Sequence, residues 1–163
     1  MYRLDAIYRK IIGADALDRW LAVTAFRRKS VVFTNGCFDI LHQGHIQYLA
    51  KAAGRGDYLV IGLNSDASVK KLKGPSRPFL DENSRALSLA ALGFVTAVIM
   101  FDEETPYNLI KKIQPHYLVK GVDYKPEEIV GYDLVKAKGG QVLTIPLVEG
   151  YSSTNIINKI AGS

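Results

Sequence analysis

Cysteine and long apolar runs are what this sequence has least of. A single cysteine, Cys37, cannot form a disulfide within the chain, which is typical of proteins kept in a reducing compartment. Although hydrophobic residues make up 48% of the chain, no run approaches the ~20 apolar residues of a membrane span. The first residues, Met1 to Ala6, also lack the apolar core of a signal peptide. We therefore expect a soluble cytoplasmic protein without a membrane partner.

Two common nucleotide-binding motifs are missing as well. The sequence contains neither the G-x-G-x-x-G fingerprint of dinucleotide-binding proteins nor the Walker lysine motif of P-loop proteins. Their absence disfavours a nicotinamide-dependent oxidoreductase and a P-loop kinase. The chain also has no internal repeat, and 163 residues is the usual size of one domain, so no second catalytic domain is expected.

The net charge of the chain is +5, and its basic residues lie mainly in two groups. Residues 27–29 form one group, which we assign to a solvated helix end, where cations stabilise the helix dipole. Residues 70–77 hold the other group. Aromatic residues of the kind that stack on bases are missing near both groups. Nucleic acid is therefore not an expected partner, and the second group is assigned to anionic small molecules.

Short apolar strands alternate with helical segments along the chain. Apolar residues at i, i+3 and i+4 predict helices, and uninterrupted apolar runs predict strands buried on both faces of a sheet. The predicted strands span residues 31–34, 58–63, 97–101, 117–119 and 141–145, and the predicted helices span residues 14–28, 44–53, 66–72, 82–92, 106–113, 128–137 and 153–160. This alternation indicates an α/β fold, a doubly wound parallel sheet of five strands.

The pattern divides the chain into an N-terminal extension, residues 1–29, and one domain, residues 30–163. The helix predicted in the extension carries Leu17, Trp20, Leu21 and Phe26 on an apolar stripe. Packing of this stripe on the core is the default expectation. A contact between copies, in a homodimer or larger homo-oligomer, is the weaker alternative.

The turn between the first predicted strand and the next helix is the most informative segment. Residues 34–45 read Thr-Asn-Gly-Cys-Phe-Asp-Ile-Leu-His-Gln-Gly-His and hold two histidines and two glycines. At such a turn, free backbone N–H groups and the positive end of the helix dipole attract anions, and an imidazole N–H can also donate to phosphate. The segment therefore predicts a phosphate site made by Asn35, Gly36, Phe38, Asp39, His42, Gly44 and His45.

Helix capping and zinc binding are alternative roles for the two histidines. His42 and His45 could cap the helix and pack in the core, or they could bind zinc, although a structural zinc site needs four ligands and no Cys and carboxylate cluster accompanies them. Cys37 lies inside the predicted site and is assigned to substrate binding. A nucleophilic role is the alternative, but none is needed where a phosphate oxygen attacks directly. The third histidine, His116, precedes a strand and is assigned to the surface.

Polar residues at the ends of later strands are predicted to meet this turn, because ligands of doubly wound sheets bind outside the carboxyl ends of the strands. Asn64 and Asp66 follow the second predicted strand. Lys120, Gly121 and Asp123 follow the fourth, and we assign them to the nucleotide, with Asp123 accepting hydrogen bonds from ribose hydroxyls.

The last predicted helix opens with Gly150, Ser152, Ser153 and Thr154. Its hydroxyls suit an ordinary N-cap, but a capped helix N-terminus is also an anion site, so these residues are assigned to the nucleotide as well.

The lysines near residue 70 and the loop after them complete the predicted site. Lys70 and Lys73 share one face of a helix end, where mobile point charges suit a polyphosphate. Residues 73–81 hold two prolines and a glycine, which predicts a mobile flap over the site. Arg77, on this flap, is the candidate for the phosphate of the acceptor substrate.

The segment from Asn35 to His45 resembles the H-x-G-H signature of the small nucleotidyltransferases. Residues 64–78, 118–131 and 150–157 are similar to the adenylyltransferase half of the bacterial ADP-heptose synthesis enzymes. The resemblance implies a Rossmann-like nucleotidyltransferase fold, with His42, His45, Lys73 and Arg85 as the catalytic contacts to phosphates.

The reaction implied by this resemblance is the transfer of AMP from ATP to heptose 1-phosphate, with Mg²⁺, in the synthesis of a lipopolysaccharide-core precursor. The kinase half found in some bacterial enzymes would be a separate polypeptide, and no protein ligand of the metal is assigned. A cytidylyl- or guanylyltransferase acting on another phosphorylated sugar or alcohol is the alternative. A non-catalytic nucleotide-binding regulatory protein is the alternative from another class.

Overall fold

One parallel sheet carries the fold in the computed structural model, which describes residues 3–122, 125–146, 153, 156 and 157. Its strands are β1 (Val31–Gly36), β2 (Tyr58–Asn64), β3 (Ala97–Phe101), β4 (Tyr117–Gly121) and β5 (Gln141–Ile145). They lie in the order β3-β2-β1-β4-β5, and every neighbouring pair is parallel. The chain winds outward from β1 in both directions, which confirms the predicted doubly wound α/β class.

Helices connect the strands and cover the sheet. In the described residues they are α1 (Arg3–Tyr8), α2 (Ala14–Phe26), α3 (Gln43–Ala53), α4 (Asp66–Lys73), α5 (Glu82–Ala90), α6 (Tyr107–Ile113) and α7 (Tyr132–Ala137), with a 3₁₀ turn at Pro126–Glu128. His42, Ser65 and Asp81 cap α3, α4 and α5 by accepting a backbone N–H from the first turn. No helix in the described part of the chain is long and apolar enough to cross a membrane.

Apolar residues from alternate positions of the strands fill both sides of the sheet. One side holds Val32, Leu59 and Ile61 with Leu49 of α3 and Leu89 of α5, and the other holds Val31, Phe33, Val60 and Leu118 with Ile110 of α6. The central strands β1 and β2 are buried on both faces, which explains why their sequences are nearly uninterrupted apolar runs.

The N-terminal segment packs on the same core and covers one edge of the sheet. Ile11 pairs with Val98 of β3 in parallel, and the Val98 N–H donates to the Lys10 carbonyl at 2.8 Å. Leu17 of α2 is buried on the side of the sheet that holds Phe33. Phe26, predicted on the same apolar stripe, is instead 88% exposed. A contact between copies through this segment stays a prediction.

Two helical segments differ from the sequence-based expectation. α1 was not predicted, because it is six residues long and none of its residues is fully buried. The helix predicted over residues 128–137 begins only at Tyr132, since Gly131 has a φ of 89° and caps it in the left-handed region. A Cβ atom on Gly131 would lie 2.7 Å from Cδ1 of Ile110, so this position requires glycine for space as well.

Candidate active site

The predicted site residues emerge at the carboxyl ends of β1, β2 and β4. These strands run further than predicted, so that Asn35, Asn64 and Lys120 lie within the strands and not in the loops beyond them. β1 and β4 are neighbours, and the strand order reverses between them. A crevice at such a reversal is where ligands bind in doubly wound sheets.

His42 and His45 lie face to face at the start of α3. Their ring centroids are 3.8 Å apart with an interplanar angle of 19°. His42 Nδ1 accepts the backbone N–H of His45 at 3.4 Å and so caps the helix. An accepting Nδ1 carries no proton, so the neutral imidazole of His42 keeps its N–H on Nε2.

Burial holds both histidines in the neutral form at neutral pH. Desolvation lowers the pKa of His42 below its ordinary value. Desolvation also lowers the pKa of His45 to about 4, helped by the positive charges of His42 and Lys73, while the Ile40 carbonyl opposes the shift. A neutral imidazole still donates one hydrogen bond, and a bound polyanion would favour the protonated form of either ring.

Lys70 and Lys73 lie in the last turn of α4, as predicted. The charge of Lys73 acts on His45, which places this lysine on the side of the site that faces the histidines. α4 ends at Gly74, whose φ of 95° turns the chain away from the helix.

The structure gives Arg85 partners other than phosphate. Its side chain is 1% exposed. Nε donates to the Leu80 carbonyl at 3.0 Å, and Nη1 donates to the carbonyls of Cys37 and Asn64 at 2.6 and 2.8 Å. Nη2 pairs with an Asp66 carboxylate oxygen at 2.7 Å. Arg85 ties the ends of β1 and β2 to α5 and is enclosed by protein, and its predicted contact with phosphate stays a prediction.

The polar residues that follow β2 are also engaged within the protein. Asn64 Nδ2 donates to Ser68 Oγ at 2.9 Å, and the backbone N–H of Asp66 donates to Glu82 Oε2 at 2.8 Å. Asp66 uses its carboxylate on Arg85. These two residues, predicted to contact the nucleotide, hold the start of α4 in place.

The flap, residues 73–81, is attached to the turn that precedes α3. Asp39 is 2% exposed, and its Oδ1 accepts the backbone N–H groups of Phe79 and Leu80 at 2.8 and 3.1 Å. Arg77 Nε lies 3.3 Å from Asp39 Oδ2, and the guanidinium lies over the Phe79 ring. Arg77 is thus paired with a carboxylate, and the predicted contacts of Arg77 with the acceptor phosphate and of Asp39 with the nucleotide stay predictions.

Phe38 and Gly44 have packing roles in this arrangement. Phe38 is buried with its ring edge-on to His45, and its centroid is 5.2 Å from that of the histidine ring. Gly36 lets this ring approach, because a Cβ atom there would lie 3.0 Å from it. Gly44 is buried in α3. These residues shape the site, and their predicted contacts with the nucleotide stay predictions.

Lys120 and Asn35 line a cavity at the carboxyl ends of β1 and β4. Lys120 Nζ donates to the Asn35 carbonyl at 3.2 Å, and desolvation lowers the pKa of Lys120 to about 8, opposed by the charge of Cys37. The cavity measures about 300 Å³. Its walls are Asn35, Gly36, Cys37, Asn64, Leu72, Glu104, Thr105, Pro106, Lys120, Glu128, Ile129 and Val130.

Sequence reasoning missed the far walls of this cavity. Glu104 to Pro106 follow β3, and Glu128 to Val130 follow β4, so both segments leave the sheet at its carboxyl edge. Their position after parallel strands was the signal that could have identified them.

The last predicted nucleotide contacts fall mostly outside the described residues. Ser153 is described, and its Oγ donates to the Ile40 carbonyl at 3.2 Å, beside the turn that bears the histidines. Gly150, Ser152, Thr154 and Asp123 lie outside the described residues. Gly121 ends β4.

The described residues do not fit a metal ion held by protein ligands alone. Among them, no group of three or more His, Cys, Asp or Glu side chains is placed to hold a cation. The two carboxylates closest to the turn, Asp39 and Asp66, are paired with Arg77 and Arg85. Magnesium is therefore treated below as part of the nucleotide substrate, bound through phosphates and waters, and no step is assigned to it.

A comparison with protein families decides the class of this site. The family model described as cytidylyltransferase-like matches residues 33–159, which include both histidines and reach all five strands. The chain belongs to the cytidylyltransferase-like family. The predicted enzyme class, a nucleotidyltransferase, is thereby confirmed.

Curated relatives of this cytidylyltransferase-like chain are bifunctional proteins. Bifunctional protein HldE of Syntrophotalea carbinolica is 56% identical over 151 residues, which cover 93% of this chain and 31% of that protein. Bifunctional protein HldE of Campylobacter concisus is 59% identical over 133 residues, which cover 82% of this chain and 27% of that protein. The chain thus spans less than a third of the length of these relatives.

Solved structures agree on the fold. The lipopolysaccharide core biosynthesis protein from Thermoplasma volcanium has a TM-score of 0.59 and 28% identity, covering 76% of this chain and 99% of that chain. Pantoate-beta-alanine ligase from Francisella tularensis has a TM-score of 0.56 and 16% identity, covering 94% of this chain and 78% of that chain. At this identity the second likeness shows the fold alone.

Proposed function

We propose that this chain transfers AMP from ATP to heptose 1-phosphate, giving ADP-heptose and pyrophosphate. The observation that carries the proposal is the stacked pair of His42 and His45 at the N-terminus of α3. Its support comes from the extensive identity to proteins named bifunctional protein HldE and from the motifs similar to the adenylyltransferase half of ADP-heptose synthesis enzymes.

The reaction asks for positioning and charge stabilisation more than for covalent chemistry. An oxygen of the acceptor phosphate forms a bond to the α-phosphorus of ATP. The bond from this phosphorus to the bridging oxygen breaks, and its electron pair leaves with pyrophosphate. No adenylyl-enzyme intermediate is required, so Cys37 needs no nucleophilic role.

The histidine pair would stabilise the charge that develops on the phosphates. His42 has an Nε2 donor fixed by its capping contact, and His45 is held between the rings of His42 and Phe38. Donors that are already in place cost no reorganisation when charge develops. Lys73 would add a cation beside His45. The free backbone N–H groups at the start of α3 point to the same place.

A cytidylyltransferase is the second candidate, and one observation favours it. The family model that matches the chain is described as cytidylyltransferase-like. The two candidates differ in the base of the nucleotide. No aromatic side chain on the described walls of the cavity at β4 favours one base over the other.

The experiment is a substrate panel. The purified chain is incubated with Mg²⁺, each of ATP, CTP, GTP and UTP, and either anomer of heptose 1-phosphate or glycerol 3-phosphate, and pyrophosphate release is followed. We expect release with ATP and one heptose 1-phosphate anomer. Release with CTP in place of ATP would assign the chain to the cytidylyltransferases. The absence of release with every pair, from folded protein that binds ATP in calorimetry, would favour a regulatory protein.

A further inference from the structure

Lys120 is a partly buried cation whose ammonium group has fewer partners than donors among the described residues. An ammonium group carries three N–H donors, yet within the described residues Lys120 makes one hydrogen bond, to the Asn35 carbonyl. Burial without a compensating anion is costly for a charged group. This cost of desolvation is the reason why the pKa of Lys120 is lowered. An anion in the cavity would meet both unused donors and remove the penalty.

A second unsatisfied group lies on the wall of the same cavity. Asn35 Oδ1 is buried and accepts no hydrogen bond from any described residue. Buried amide oxygens without a donor are rare in folded proteins. A ligand hydroxyl would supply the missing donor. The cavity therefore offers unused donors to an anion, from Lys120, and an unused acceptor to a hydroxyl, from Asn35.

The remaining walls favour a polyhydroxylated ligand over a base. Glu104 and Glu128 line the cavity, and carboxylates accept hydrogen bonds from hydroxyls. The Glu128 carboxylate also lies 3.9 Å from Lys125 Nζ. Among the described residues, no aromatic side chain lines the cavity for a base to stack on. Adenine is also neutral and would leave the charge of Lys120 uncompensated.

The position of the cavity, next to the turn that bears the histidines, suits the acceptor substrate. Residues 35–37 form one wall of it and lead into the turn that ends at His42. None of His42, His45 or Lys73 lines the cavity, so it is separate from the groups proposed to contact the triphosphate. Two ligands that meet at this turn would have their phosphates side by side.

We propose that Lys120 anchors the phosphate of the acceptor, a phosphorylated polyhydroxy compound, while Asn35, Glu104 and Glu128 bind its hydroxyls. This inference rests on the proposed function and deepens it. It moves Lys120 from the nucleotide site predicted from the sequence to the acceptor site, and it replaces Arg77 as the phosphate anchor. Lys120 then holds the attacking oxygen toward the α-phosphorus.

The first test separates the two Michaelis constants. Lys120→Gln is compared with wild type and with Lys71→Gln, a matched control for an exposed lysine of α4. We expect Lys120→Gln to raise the KM for the acceptor at least tenfold, with the KM for ATP within twofold of wild type, and Lys71→Gln to change neither. An unchanged acceptor KM overturns the inference. So does an equal rise in the KM for ATP, which would return Lys120 to the nucleotide.

The second test uses pH and the conservative variant. Because burial lowers the pKa of Lys120 to about 8, its ammonium is lost as the pH rises through 8, and the acceptor KM of wild type should rise there. Lys120→Arg keeps its charge, so its acceptor KM should stay flat. Cys37, Glu104 and Glu128 are the other ionisable side chains among the described walls of the cavity, and Cys37→Ser should keep the rise. A rise that persists in Lys120→Arg contradicts the inference.

A binding measurement keeps this inference apart from the proposed function. Inorganic phosphate is titrated into the ATP-free full chain by calorimetry, which requires no turnover. Binding to wild type that is at least tenfold weaker in Lys120→Gln supports the anion site even if no acceptor in the panel reacts. Equal binding to both proteins, or none to wild type, overturns the site. Turnover by wild type together with equal binding would retain the proposed function and remove Lys120 from it.

Discussion

Arg77 Nε lies 3.3 Å from Asp39 Oδ2, and this ion pair joins the flap, residues 73–81, to the turn that precedes α3. The two side chains are nearly buried, and Asp39 also accepts the backbone N–H groups of Phe79 and Leu80. Asp39 Oδ2 accepts no hydrogen bond from any described residue, so the pair is held by charge and not by an aligned N–H. The Asp39 carboxylate thus holds the flap against the turn.

Replacing Asp39 should therefore open the flap. In Asp39→Ala the amides of Phe79 and Leu80 lose their acceptor, and the guanidinium of Arg77 loses its counter-charge. We expect amide hydrogen exchange at these two residues to accelerate at least tenfold. Asp15→Ala, at an exposed carboxylate in the first turn of α2, is the control and should leave the flap unchanged. Equal exchange in wild type and Asp39→Ala would show that other contacts close the flap.

Arg85→Lys should destabilise the fold although it conserves the charge. A lysine cannot reproduce the fork that serves three carbonyls and the Asp66 carboxylate, and losing a partner of a buried charge costs about 3 kcal/mol or more. Urea unfolding should show this loss, whereas Arg55→Lys on the surface should show none. A stability equal to wild type, with turnover lost, would instead support the phosphate contact predicted from the sequence.

Much of the sheet could be predicted from the sequence, because a strand buried on both faces leaves an uninterrupted apolar run. Val31 to Phe33 and Leu59 to Leu63 are such runs. Asn35, Asn64 and Lys120 could then be placed at the carboxyl ends of β1, β2 and β4. The turn that bears His42 and His45 could be recognised in the sequence because two histidines beside two glycines are unusual for a turn.

The partners of the charged side chains could not be predicted in the same way. Arg85 was expected to contact phosphate, but its burial depends on the carbonyls of Cys37 and Asn64, which lie 48 and 21 residues away. Asp39 and Arg77 likewise meet only because the flap folds back. Glu104 and Glu128 follow β3 and β4, so only their position after parallel strands could have indicated that they reach the cavity.

The stability of the protein should fall as the pH is lowered from about 6.5 to about 4. The pKa of His45 is lowered to about 4 in the folded state, so the unfolded chain binds more protons across this window. The contribution is fully present above pH 6.5 and is lost as the pH falls toward 4. The pKa values of Asp57 and Asp81 are lowered too, but these carboxylates take up protons mainly below pH 4. Their effect on stability therefore falls mainly outside the window from pH 6.5 to pH 4.

This pH effect can be measured by urea unfolding at pH 7.5 and pH 4.5. His45→Gln removes the titrating group, so the difference between the two free energies of unfolding should shrink relative to wild type. Lys51→Gln, at an exposed position of α3, is the control and should leave the difference as in wild type. An undiminished difference in His45→Gln would assign the loss to other groups.

His45→Ala should lower kcat by on the order of a hundredfold or more, because it removes a donor that is already oriented toward developing phosphate charge. The KM for ATP should change little, since the interaction is strongest in the transition state. His45→Gln, whose amide can still donate, should recover part of the rate. His116→Ala is the matched control and should keep full turnover. Wild-type kcat in folded His45→Ala would leave the pair with only the roles of capping α3 and packing against Phe38.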